Sequence, residues 1–287
     1  MQRTAINYEP TAQDVEQYAQ QGYWISPKLL SDEQIASLRR EMDRLFAGER
    51  DGNGSYFEGK LNLPKDPHAL RRVVNAWWVN AAVRDVVLDA GLGRICAKLM
   101  KVPGIRLWSD QVIIKPEMSP DGKTQVGNVG WHQDFAYWQI PSTHNMVTAW
   151  IALQDTDLSN GGMRTLIGSH RWGLIKDSDA FFDTDLDALR KKFADRVDSP
   201  WLDEPCILKA GQASFHHSLC FHGSGENLSD KPRLSVVGHY MPDGTTFAPY
   251  DKVTTQLRML GPWPEPGEKL ADPNFPLVYS EASYGQQ

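Results

Sequence analysis

Residues 213–241 read ASFHHSLCFHGSGENLSDKPRLSVVGHYM: two β-rich runs, Ala213–His217 and Leu234–Met241, parted by a cluster of Gly, Ser, Asn and Asp. Apolar and β-branched runs bounded by such turn residues signal strands. The same texture extends outward through Ile105–Ile114, Met146–Leu153 and Cys206–Leu208, with one helical interruption near Leu186–Phe193. Upstream the pattern is helical. The run Gln13–Gln21 predicts a helix ended near Gly22, and Tyr23-Trp24-Ile25 predicts a short strand before Pro27. Ser31-Asp-Glu-Gln34 is a capping box, and the helix it opens runs to about Ala47 with Ile35, Leu38, Met42, Leu45 and Phe46 on one face. A further helix is expected over roughly Ala81–Leu99. Helices first and antiparallel strands later, without regular βαβ alternation, predict a mainly β fold with flanking helices: a jelly roll buttressed by N-terminal helices. A single domain over 1–287 is expected, helical to about residue 103, with a β core at about 104–245 and a C-terminal extension at about 246–287.

The 287 residues are 41% hydrophobic, enough for one sizeable core. The formal charge of −6, with acidic and basic residues interspersed, argues against nucleic acid or an anionic membrane, both of which need a basic face. A small-molecule ligand fits better. Cys96, Cys206 and Cys220 are widely spaced and odd in number, as expected of buried free thiols in a reducing compartment. No stretch approaches eighteen apolar residues, the N-terminus lacks a signal-peptide pattern, and SYGQQ at the C-terminus is no peroxisomal address. A cytoplasmic location is the expectation. Oligomeric state cannot be read.

Chemistry concentrates in two places. In Trp131-His132-Gln133-Asp134 an imidazole and a carboxylate stand two residues apart, which on a strand end points both to one face. A third ligand from a distant strand would complete a 2-His-1-carboxylate triad, which leaves adjacent metal positions open. The second place, Phe215 to Asn227, offers His216, His217 and His222. Adjacent strand residues face opposite sides, so at most one of His216 and His217 points inward. His222 precedes the small residues Gly223-Ser224-Gly225, and Arg233, eleven positions on, has the planar fork that pairs with a carboxylate, in a surface ion pair on its own account or on a bound ligand. The Gly-rich stretch 116–130 has the length of a lid.

Together these motifs resemble the phytanoyl-CoA dioxygenase family. Lys115-Pro116, His132-Gln133-Asp134, Thr148 to Leu153 (TAWIAL), Asn160-Gly161-Gly162, Ile167-Gly168-Ser169-His170, Phe221 to Asn227 and Lys231-Pro232-Arg233 carry the resemblance, with Gly22-Tyr23-Trp24 near the start. It spans essentially the whole chain. The resemblance implies a double-stranded β-helix of cupin type, Fe(II) held by His132, Asp134 and His222, and 2-oxoglutarate and O₂ as co-substrates. It puts the far carboxylate of 2-oxoglutarate on Arg233, helped by Ser224. Trp150 and Gln111 then line the co-substrate pocket, and Arg72 either contacts 2-oxoglutarate or is a solvated helix-end residue. Asp134 separates the chain from related halogenases, which lack this carboxylate. The expected reaction is oxidation, above all hydroxylation, of a small organic substrate with release of succinate and CO₂. Phe135, Tyr137 and Trp138 are the candidate substrate-lining residues. No basic cluster calls for the phosphates of a CoA ester. The rival readings are a non-catalytic metal- or ligand-binding β-helix and an O₂-independent metal enzyme on the same fold.

Overall fold

The computed structural model describes residues 5–51, 69–118, 127–250 and 263–284. Helix α1 (Ala12–Gln21) begins in a capping box between Thr11 and Asp14 and ends on Gly22, whose φ of +81° suits a residue without a Cβ. Strand β1 (Tyr23–Ile25) follows, then α2 (Asp32–Phe46), where Ser31 and Gln34 cap each other's backbone as the sequence predicts. The helix expected over Ala81–Leu99 is instead two, α3 (Ala81–Val87) and α4 (Ala90–Met100). Asp89 makes the break. Its carboxylate accepts from the N–H groups of Gly91 (2.8 Å) and Leu92 (3.2 Å), which restarts the helix as an N-cap does.

The strands are β2 (Arg71–Val74), β3 (Gly104–Lys115), β4 (Val129–His132), β5 (Val147–Ala152), β6 (Met163–Leu166), β7 (Asp203–Pro205), β8 (Ala213–His217), β9 (His222–Ser224), β10 (Arg233–Pro242) and β11 (Leu277–Ser280). They form a seven-stranded sheet, in the order β1-β8-β5-β10-β3-β11 with β2 also on β3, and a four-stranded sheet, β4-β9-β6-β7. All pairings are antiparallel. These facing sheets are the double-stranded β-helix.

Period-2 alternation sorts the large sheet into two faces. Val112, Ile114, Val147, Ala149, Ile151, Phe215 and Val236 turn outward and share a hydrophobic core with Leu38, Met42, Val83, Leu92 and Ile95 of the helices. Residues of opposite parity turn into the barrel, where Ile113, Trp150, Ala152, Leu208 and Val237 make a second cluster. Behind the small sheet, α6 (Leu186–Ala194) packs Leu189 and Phe193 against Trp131, Leu166 and Phe221.

Two further expectations need correction. Cys206–Leu208 is not a strand; β7 lies just before it, and Leu208 makes only an isolated bridge to Thr156. Arg72 sits on β2, within the part read as helical. In the C-terminal extension, β11 pairs with β3. Most of the expected lid, 119–126, lies outside the described residues. Among the described residues, no helix is long and apolar enough to cross a membrane.

Candidate active site

His132 ends β4 and His222 opens β9, and the two strands pair with these residues opposite each other. Their rings lie 4.1 Å apart. Asp134 reaches them by a different route from the one the spacing suggests. It is already helical (φ −56°, ψ −42°) and leads into a short turn, α5 (Phe135–Trp138), so the strand end and the turn bring the two side chains together rather than strand alternation. Gln133 between them points away and clamps the segment. Its amide nitrogen donates to the carbonyls of Gly173 and Leu219, and its oxygen accepts from Ile175 N and Ser178 Oγ.

The ligand atoms of His132, Asp134 and His222 lie within 4.8 Å of one another, and all three residues are buried. Their hydrogen bonds fix the protonation pattern. His132 Nδ1 lies 2.7 Å from the carbonyl of Gly130, and His222 Nδ1 lies 3.0 Å from that of Cys220. A carbonyl only accepts, so each Nδ1 carries a proton, which leaves Nε2 as the nitrogen able to offer a lone pair to a metal. These lone pairs stand 3.6 and 3.7 Å from Asp134 Oδ1. Two neutral nitrogens and an anionic oxygen thus converge with no proton among them, a donor set that fits a borderline divalent cation such as ferrous iron. Burial alone would raise the Asp134 carboxyl; with no cation bound, positive charge on the surrounding histidines, His222 first, outweighs that and holds the group well below the usual range, so the oxygen stays anionic. Burial, with His132 and His216 beside it, keeps His222 neutral far below its ordinary value.

Of the adjacent pair on β8, His216 is the inward one. It is 1% exposed, its ring is 4.3 Å from that of His222, and its Nε2 is 3.4 Å from Asp134 Oδ2. His217 faces the other way, toward His170 (5.5 Å) and His144 (6.1 Å); burial and these neighbours push it down to about 3.

At the far end of the barrel Arg233 on β10 lies in register with Lys115 on β3. Both are buried, and among the described residues neither is in an ion pair. The Arg233 guanidinium stacks 4.9 Å over the Trp150 ring. The Lys115 ammonium donates to Ser224 Oγ (2.6 Å) and to the Gly225 carbonyl (2.5 Å). Ser224 therefore accepts from Lys115 and keeps its own proton for another acceptor. Burial lowers Arg233 to about 10, and burial, then the charge of Arg233, holds Lys115 well below its usual value.

One cavity joins the two ends. His132, Asp134, His216 and His222 line it with Thr148, Gln111, His239, Trp150, Ser224 and Arg233, and Leu70 and Phe181 stand at its border. Arg72 reaches the same wall: its Nη1 donates to Gln111 Oε1 at 3.3 Å, and its guanidinium lies 4.9 and 5.0 Å from the rings of Phe181 and Phe182. The structure thus gathers His132, Asp134, His222, Arg233, Ser224, Trp150, Gln111 and Arg72. Phe135, Tyr137 and Trp138 do not line the cavity. Tyr137 accepts from Phe181 N (2.7 Å) and so steadies a ring set edge-on to His132, Trp138 packs edge-on to His239 at 4.8 Å, and Phe135 turns toward His144. Thr148, His216, His239, Lys115 and Phe181 were missed as site residues. Strand parity could have found Thr148 and His239, which share faces with Trp150 and Arg233; nothing local marks Phe181.

The phytanoyl-CoA dioxygenase (PhyH) family profile matches residues 18–235, and the chain belongs to that family. It is 25% identical over 233 residues to the peroxisomal phytanoyl-CoA dioxygenase of Rattus norvegicus. That match spans 78% of this chain and 66%, just under two thirds, of the rat protein. It is 26% identical over 244 residues to an ectoine dioxygenase of Streptomyces avermitilis, spanning 79% of this chain and 77% of the relative. Among solved structures, the non-heme alpha ketoglutarate dependent carbocyclase SnoK from nogalamycin biosynthesis superposes with a TM-score of 0.70 at 23% identity, over 94% of this chain and 96% of that one.

Proposed function

We propose that this chain is an Fe(II)- and 2-oxoglutarate-dependent dioxygenase that hydroxylates a small organic substrate. One observation carries the reading: one cavity has two imidazoles and a carboxylate at one end and, at the other, an arginine with no carboxylate partner among the described residues. That is the polarity a 2-oxo dicarboxylate requires, with a metal-chelating head and an anionic tail. A ferrous ion bound there with 2-oxoglutarate supplies O₂ activation, with succinate and CO₂ as products. His132, Asp134 and His222 would hold the ion from one side and leave its other positions to co-substrate and O₂. Arg233 pairs with the distal carboxylate through its fork, Ser224 donates its free proton to the same group, and Trp150 fixes the guanidinium plane. Burial of the wall keeps competing water out.

We place substrate entry beside Leu70 and Phe181, where the Arg72 guanidinium lies against both the Phe181 and Phe182 rings; an organic molecule with an anionic or polar group suits that rim. The net charge of −6 favours such a small molecule over nucleic acid. A cytoplasmic location belongs to the same proposal and is supported by three buried free thiols.

Anaerobic addition of Fe(II) and then 2-oxoglutarate should develop a weak visible charge-transfer band. Arg233→Ala should abolish the band at ordinary 2-oxoglutarate concentrations yet bind Co(II) like the parent. Equal loss of metal and co-substrate would make Arg233 a structural residue and sink its assigned role.

A further inference from the structure

We propose that Thr148 and His239 are positioning residues that hold Asp134 as a one-oxygen metal ligand, and that Gln111 and Arg72 set the direction of the hydrogen bonds that do so. The proposal rests on the metal-centre reading above. Four contacts run in series: Arg72 Nη1 to Gln111 Oε1 (3.3 Å), Gln111 Nε2 to His239 Nε2 (3.1 Å), His239 Nδ1 to Thr148 Oγ1 (2.8 Å) and Thr148 Oγ1 to Asp134 Oδ2 (2.6 Å).

The chemistry of the two ends decides every direction between them. A guanidinium only donates and an ionised carboxylate only accepts. Gln111 must therefore turn its oxygen to Arg72, which leaves its NH₂ facing His239. His239 then accepts at Nε2, so its proton sits on Nδ1 and points at Thr148. Thr148, receiving that proton, has one direction left for its own, onto Asp134 Oδ2. No member can reverse without setting two donors or two acceptors face to face. The fold builds this line deliberately in space: Thr148 pairs with His239 across β5 and β10, and the edge-on Trp138 ring holds the imidazole plane. With Oδ2 occupied, Oδ1 is the oxygen that meets His132 Nε2 and His222 Nε2.

The test is Co(II) titration of the metal-free protein under argon, read by visible absorption, beside the thermal midpoint of each apo-protein. Thr148→Val and His239→Leu should weaken Co(II) binding by about 10- to 100-fold, the usual effect of removing a partner of a metal-ligating group. Thr148→Ser should recover it, and His239→Asn should recover much of it, because the amide N–H replaces Nδ1–H. Apo midpoints should stay within a few degrees of the parent. Parental affinity in Thr148→Val, or a Thr148→Ser as weak as Thr148→Val, overturns the proposal. If Thr148→Val does not fold, the His239 pair decides: equal affinities of Leu and Asn variants overturn it, a clear split supports it. A parent that binds no Co(II) removes the metal centre and this inference with it. A parent that binds Co(II) but never 2-oxoglutarate defeats the dioxygenase reading and leaves the positioning role standing.

Discussion

Lys115 shows how one residue can matter through another. Its ammonium is buried beside a second cation, and the contacts that satisfy it are an acceptor hydroxyl and a carbonyl rather than a carboxylate. Burial and the Arg233 charge disfavour the charged form of Lys115, and an arriving anion restores it. Lys115→Met keeps the volume and removes the charge, and it releases Ser224 from its fixed orientation. We expect the 2-oxoglutarate dissociation constant to rise about 10- to 100-fold, the scale of one charged hydrogen bond, with Co(II) binding unchanged; isothermal titration of both ligands checks it. The sequence displays Lys115 and Ser224 inside recognisable motifs, but their contact crosses 109 positions. Only the register of β3 against β10 and the facing of β9 bring them together, so local pattern could name the residues and not the bond.

Elements set two further expectations. Asp110 on β3 faces the helical side, fully buried, and burial raises it to about 8 against opposing N–H groups of Trp77 and Ala76. Between about pH 4 and pH 8 the folded chain retains a proton that the unfolded chain has released. Stability from this group is complete below the unfolded value and is lost as pH climbs through the folded one. Asp110→Asn should therefore flatten the stability profile across that window, with its benefit growing toward pH 8; urea unfolding at pH 5 and pH 8 measures this. Gly130 of β4 offers the second. Its N–H donates to the Phe181 carbonyl at 3.1 Å, and a Cβ there would collide with the carbonyls of Ala180 and Asp183. Gly130→Ala should cost about 1–3 kcal/mol and draw Phe181 off His132, seen as a lower denaturation midpoint. Element existence was legible where periodicity was strong, as in α1, α2, β8 and β10. The short strands β4, β6 and β9 carry too few residues to show a period, and the break at Asp89 hid inside an apolar stripe that runs through both helices.

For the molecule as a whole, the proposed metal ligands come from two strands and a turn of sequence-distant segments, so an ion bound there would cross-link the folded state only. At a hundred times its dissociation constant such a ligand adds about 2.7 kcal/mol. Co(II) should raise the thermal midpoint by roughly 5–10 °C, EDTA should reverse it, and His132→Ala should show no shift. Sequence patterning captured the architecture, and the family resemblance named the residues at both ends of the cavity, because these rest on a few strongly typed residues. It could not place the inner wall, because that wall is an outcome of long-range pairing, as between Thr148 and His239, 91 positions apart, or Gln111 and His239, 128 apart.

The large sheet finishes at one side in β1, three residues long, laid against β8. Without that cover β8 would offer a bare row of backbone donors and acceptors, the kind of border on which chains polymerise. The opening segment of the protein thus works as a selvedge. Trimming residues 1–25 should leave the catalytic pocket's own residues intact and yet turn the protein into a self-associating one, which light scattering during dilution from urea would reveal.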